Sequence, residues 1–165
     1  MTRKMRRSAQ ALSMEETRLI LERRTSGVLA VNGTDGYPYA VPLSFVFDDD
    51  RIYFHSAVSG SKLDALAHDD RVSFCVIDED DVIADEYTTY FRSAIVFGQA
   101  KILMKDEDIR RALDLLGRKY APGHAQSRRD DAINKELKLV TVIELTIEEM
   151  TGKEAIELIR AKQAK

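Results

Sequence analysis

The sequence predicts one mainly β domain, with about six antiparallel strands in a barrel or closed sheet and helices packed outside it. Three observations lead there. The chain has 165 residues, 44% of them hydrophobic, which suits one compact domain with its own core. Its strand-like runs are joined by turns rather than by regular crossover helices, so antiparallel pairing is favoured over a doubly wound sheet. No repeat or low-complexity linker divides the chain.

The elements follow in order. Ser13 with Glu16 three residues later is a capping-box pattern, and Leu19, Ile20, Arg23 and Arg24 suit a short helix ending before Gly27. Residues 27–31 read as a buried strand and 32–36, Asn-Gly-Thr-Asp-Gly, as a turn. Two strand-like runs follow, 37–47 and 51–57, separated by Asp48, Asp49 and Asp50. In the first, Tyr39, Val41, Leu43, Phe45 and Phe47 would form a core face, opposite the small residues Ala40, Pro42 and Ser44. Pro42 cannot donate to a ladder, so this strand belongs at an edge or a bulge.

Residues 60–68 read as a short helix, 71–77 as a strand, and the acidic stretch 78–86 as a loop. Residues 88–104 are strand-rich, with Gly98 marking a bulge or bend. Ile109, Ala112, Leu113 and Leu116 then recur at helical spacing until Ala121-Pro122-Gly123 stops the helix. A polar helix over 127–137, a strong strand over 139–147 and a helical tail complete the reading.

Composition excludes several classes of function. With 25 basic and 28 acidic residues the net charge is −3, which gives no general attraction to nucleic acid or an anionic membrane. The basic cluster Arg3, Lys4, Arg6 and Arg7 reads as a solvated terminus. Cys75 is the only cysteine, so no disulfide forms within the chain. No apolar run approaches the length of a membrane span, and no hydrophobic signal core follows the basic cluster. The expectation is a soluble cytoplasmic protein. His55, His68 and His124 lack metal-ligand spacing, and no Gly-x-Ser-x-Gly, Walker A or dinucleotide glycine motif occurs. Tyr87, Tyr90 and Phe91 read as core aromatics.

The most specific stretch runs from Tyr37 to Lys62. A strand face of small residues precedes His55, which could donate to a carbonyl, hold a substrate or shuttle a proton near neutral pH. Ser56, Ser59, Gly60, Ser61 and Lys62 then bring hydroxyls, a flexible backbone and a cation to a helix start, where free amides attract an anion such as a phosphate. The same residues also fit an ordinary serine-capped helix.

These residues carry a resemblance. Tyr37-Pro38-Tyr39-Ala40-Val41-Pro42-Leu43, Ile52-Tyr53-Phe54-His55-Ser56-Ala57 and Gly60-Ser61-Lys62, followed by Arg71-Val72-Ser73-Phe74, Ser93-Ala94-Ile95-Val96-Phe97-Gly98 and Thr151-Gly152-Lys153, resemble the flavin-binding split-barrel proteins. Within these, the chain is most similar to the nitroimidazole-resistance branch related to pyridoxamine-phosphate oxidase. The resemblance implies a six-stranded antiparallel split β-barrel and a homodimer with FMN at its interface. By position, Tyr39, Ala40, Val41, Pro42 and Leu43 would line the isoalloxazine, while His55, Ser56 and Ala57 border the ring and ribityl chain. Ser61 and Lys62 would bind the phosphate, and Ser93, Ala94 and Ile95 would supply a neighbouring strand.

The implied activity is an FMN-dependent oxidoreductase acting on a small electron-poor molecule, such as a nitro compound, with His55 as the catalytic residue. The alternatives are a non-catalytic flavin-binding or sensing protein, and a barrel that binds haem or a deazaflavin. The Arg-rich carboxy-terminal signature of true pyridoxamine-phosphate oxidases is absent, which argues against that substrate.

Overall fold

The capping box at Ser13 starts helix α1 (Met14–Arg23): Ser13 Oγ accepts from the Glu16 amide at 3.1 Å, and the Glu16 carboxylate accepts from the Ser13 amide at 3.0 Å. The structure, a computed structural model, describes residues 6–164; Arg3 and Lys4 of the N-terminal basic cluster lie outside them. The strands are β1 (Ser26–Asn32), β2 (Pro38–Ser44), β3 (Val46–Asp48), β4 (Arg51–Ala57), β5 (Arg71–Ile83), β6 (Thr88–Ile102) and β7 (Val140–Glu154). They form one antiparallel sheet in the order β2-β1-β5-β6-β7-β4-β3.

Seven strands replace the expected six because the run 39–47 breaks at Phe45. Phe45 is fully buried, and its backbone leaves the ladder: its amide donates to Tyr120 Oη at 2.9 Å and to the Thr25 carbonyl at 3.3 Å. The Tyr120 hydroxyl in turn hydrogen-bonds the Thr25 carbonyl. The chain therefore passes from one edge of the sheet, β2, to the other, β3, within a single residue. The sheet curls until β2 also touches β4, yet no ladder joins β2 to β3. The result is a barrel split along that seam.

Inside the barrel, Phe74 meets Phe45 and Phe54 edge to face, with ring centres 4.9 and 5.0 Å apart. Leu29, Ile52, Val96, Ile143 and Leu145 fill the space around them. The bulge expected at Gly98 is present as a register shift against β7 between Phe97 and Gly98. A Cβ on Gly98 would collide with the Thr146 carbonyl oxygen.

The acidic stretch is a strand rather than a loop through Ile83: residues 79–83 pair with β6, and the two innermost carboxylates, Asp78 and Glu79, are neutralised by arginines. The Asp78 side chain is fully buried, and its carboxylate accepts from Arg23 and Arg24 of α1. Burial pushes its pKa up, but the two guanidinium groups outweigh that and hold it below the usual carboxylate range. Arg92 on β6 bridges Glu79 at 2.6 Å and Glu154 at 3.0 Å. Tyr87 does not join the core: it sits at the hairpin tip with φ 50° and is 98% exposed. At the carboxy-terminal end β7 runs past Ile147 to Glu154.

Four further helices complete the fold: α2 (Ser61–His68), α3 (Asp106–Tyr120), α4 (Gln126–Glu136) and α5 (Ile156–Gln163). Ala112 and Leu116 of α3 pack with Val46, Tyr53 and Val142 in a second apolar cluster outside the barrel. Among the described residues no helix is long and apolar enough to cross a membrane.

Candidate functional site

The end of β4 and the start of α2 form one continuous feature. Ile52, Phe54 and Ser56 face inward on β4, while His55 lies exposed on the outer side. Ser56 is 7% exposed, and its Oγ has no hydrogen-bond partner among the described residues. A buried hydroxyl left unpaired costs roughly 1–3 kcal/mol, so it marks a place where a polar group fits.

Gly60 follows at the N-cap of α2 with φ +136°, a conformation that favours glycine, and no side chain caps the helix. The serine-capped alternative is therefore not what the chain adopts. The Leu63 and Asp64 amides turn back to the Gly60 carbonyl at 2.8 and 3.2 Å, while those of Ser61 and Lys62 find no acceptor among the described residues. Lys62 is half-buried and makes no ion pair there. Two free amides and an ammonium at a helix start suit a phosphate, and the unpaired Ser56 hydroxyl lies on the strand that leads into it.

β2 is an edge strand, as Pro42 requires, and its outer backbone edge is unpaired. Val41 and Leu43 pack against the core, whereas Tyr39, Ala40 and Pro42 are exposed. β2 touches β4 across the seam, and Ser44 at the end of β2 borders the same cavity as His55. Ser93, Ala94 and Ile95 lie elsewhere. They are on β6, in the middle of the sheet, and the Ala94 side chain is fully buried in the core. Ile95 is 38% exposed on the outer face, where it shares a cross-strand row with Pro42, Val28 and Cys75. Three strand spacings, about 14 Å, separate Ile95 from Pro42 along that row. One chain alone does not bring β6 to the β2–β4 seam.

His55 also borders a cavity of about 320 Å3 that no sequence pattern indicated. Ser44, Leu116, Tyr120 and Glu136 line it with His55, so it lies where the end of α3 and the end of α4 meet the barrel. Tyr120 is the joint: its hydroxyl accepts from the Phe45 amide and donates to the Phe45 carbonyl, which ties the end of α3 to the junction of β2 and β3. The neighbouring Lys119 ammonium lies 4.1 Å from the centre of the Phe45 ring and donates to the Leu21 carbonyl at 3.2 Å. Its burial lowers its pKa to about 8. Among the described residues no cluster of His, Cys, Asp or Glu is arranged to hold a metal ion.

Comparison with known proteins agrees with this architecture. A candidate 5-nitroimidazole antibiotic resistance protein from Bacteroides thetaiotaomicron superposes with a TM-score of 0.73 at 22% identity, over 87% of this chain and 86% of that one. The conserved hypothetical protein Rv2991 from Mycobacterium tuberculosis gives 0.77 at 20% identity, covering 92% and 90%. At these identities the likeness is one of fold. An FAD and heme binding protein from Mycobacterium smegmatis gives 0.72 at 26% identity, covering 92% and 79%. No curated protein matches the sequence. Residues 13–154 match the pyridoxamine 5'-phosphate oxidase family, and the chain belongs to it.

Proposed function

We propose that this protein is an FMN-dependent oxidoreductase that works as a homodimer on a small electron-poor molecule such as a nitro compound. The observation that carries the proposal is the anion site at the start of α2, where the Ser61 and Lys62 amides, the Lys62 ammonium and the Ser56 hydroxyl have no partner among the described residues. FMN fits these residues. Ser61 and Lys62 take its phosphate, Ser56 and Ala57 its ribityl chain, and the free edge of β2 over residues 39–43 meets the ring through backbone and apolar contacts. When bound, the flavin supplies the redox chemistry, and the protein supplies orientation, electrostatics and exclusion of water. His55, at the wall of the adjoining cavity, positions the substrate and donates a proton from its imidazole.

The exposed apolar row through Val28 and Ile95 favours pairing of two copies, which would bring the partner's β6 to the seam that one chain leaves open. The nitro substrate is favoured by the Bacteroides thetaiotaomicron neighbour.

The test compares wild type with His55→Ala, using reduced nicotinamide donors and a panel of nitro acceptors. Turnover falls at least tenfold while FMN affinity is kept. Equal turnover removes His55 from the mechanism, and no turnover by wild type with any acceptor favours a flavin-storing or sensing role. Haem binding is the second reading, favoured by the Mycobacterium smegmatis neighbour, and it would show as a Soret band sensitive to His55→Ala.

A further inference from the structure

We propose that the seam between α3 and α4 binds a flat, apolar carboxylate, with the carboxylate at Arg128 and the opposite end at His55. That the His55 end is the reacting one rests on the function proposed above; the cleft itself does not.

The cavity beside His55 is one half of a longer cleft. A second cavity of about 380 Å3, reaching Ala121, His124 and Arg128, shares the walls Leu113, Gly117 and Glu136 with the first. Gly117 is the floor common to both. In the interior of a helix, glycine costs about 1 kcal/mol relative to alanine, so its presence in α3 needs a reason. A Cβ there would lie 3.1 Å from Arg129 Cδ, and any larger side chain would fill the seam.

The seam is held in shape by one strap. Arg129 Nε donates to Asp114 at 3.1 Å, and the rest of its guanidinium bonds the His124 carbonyl and the Gln126 side chain. Gln126 also donates to Asp114, at 3.0 Å. Arg129 is thereby fully used in tying the first turn of α4 to α3, whereas its neighbour Arg128 has no partner among the described residues. The two adjacent arginines differ in purpose: one builds the cleft, and the other lines it with a free cation.

The charges along the cleft set the ligand's direction. Arg128, Ala132 and Glu136 recur every four residues along α4, so Arg128 and Glu136 are about 12 Å apart. The outer mouth carries the guanidinium of Arg128, while the inner end carries the carboxylate of Glu136. An anionic group is drawn to the mouth and repelled from the junction. Leu113, Leu116 and Ile133 offer apolar walls between them. A conjugated acid with its electron-poor group at the far end matches that pattern in both length and polarity.

The test is calorimetric titration of the apoprotein with 4-nitrocinnamate and its methyl ester, alongside a separate FMN titration. Wild type binds the acid about fivefold more tightly than the ester, the upper range for an ion pair at an exposed mouth. Arg128→Gln removes that margin and leaves ester and FMN affinity unchanged. Gly117→Leu, or Ala132→Leu should the first variant fold poorly, weakens both probes at least tenfold. Equal wild-type affinity for acid and ester overturns the proposal, as does a margin that survives Arg128→Gln. Displacement of the probe by FMN assigns the cleft to the flavin and overturns it too. Probe binding without FMN binding would sustain the cleft while sinking the flavin assignment, and FMN binding without probe binding would do the reverse.

Discussion

Replacing Lys62 by alanine should weaken FMN binding while leaving riboflavin binding unchanged. Lys62 stands at the second position of α2, half-buried, and among the described residues it has no ion pair and the Ser61 and Lys62 amides have no acceptor. A charge-assisted hydrogen bond contributes roughly 1.5–3 kcal/mol, and partial exposure places this one near the lower end, at about 1.5–2 kcal/mol. That corresponds to a rise in Kd of about 10- to 30-fold. The helix amides remain in the variant, so binding is weakened rather than abolished. Flavin fluorescence quenching of the apoprotein measures both ligands, and riboflavin, which lacks the phosphate, isolates the Lys62 contribution. Raising the salt concentration should narrow the gap between variant and wild type. An unchanged FMN affinity, or an equal loss for riboflavin, would refute the phosphate assignment.

Three further outcomes concern the frame around the site. Gly98→Ala should cost about 2–3 kcal/mol in a urea titration, because the added Cβ meets the Thr146 carbonyl at the β6 bulge; wild-type stability would show that the bulge relaxes freely. Asp78→Ala should cost about 2–3 kcal/mol, since it removes the buried acceptor shared by Arg23 and Arg24, which lose less than buried ions would because they are half exposed. A loss under 0.5 kcal/mol would show that those pairs contribute nothing net. Glu16 has its pKa lowered from 4.5 to about 2 by its hydrogen bonds from Lys162 and the Ser13 amide, so its stabilisation is complete above pH 4.5 and is lost as the pH falls towards 2. A shift that large corresponds to about 3 kcal/mol, which solvent at this exposed pair reduces to about 1 kcal/mol. Glu16→Gln should therefore cost about 1 kcal/mol at pH 7 and flatten the acid limb between pH 4.5 and 2, and an unaltered limb would contradict the assignment.

Local rules made much of this fold readable. The Ser13 capping box, the alternation along β2 and β4, the bulge at Gly98 and the helical period of α3 each depend on neighbours a few residues apart. What stayed hidden depends on partners distant in sequence. Asp78 and Glu79 read as the start of a loop because Arg23, Arg24 and Arg92, which neutralise them, come from other elements. The split at Phe45 is invisible in a run of alternating apolar residues, since it is produced by Tyr120, 75 positions further along. The candidate site divides the same way. The stretch from His55 to Lys62 was legible as a motif, whereas the cavity beside His55 exists only because Tyr120 and Glu136 fold back against it. The residues of β6 sit three strands from the seam on the β2 side and two on the β4 side, so a sequence match alone could not bring them to it.

The measurement that tests the central claim most directly is the visible absorption spectrum of the purified protein, with its released chromophore identified by mass and the apoprotein titrated with FMN. The account predicts a yellow protein that releases FMN, or an apoprotein that takes up FMN at one per chain. A colourless protein that fails to take up added FMN would contradict it, leaving the split barrel with a different ligand.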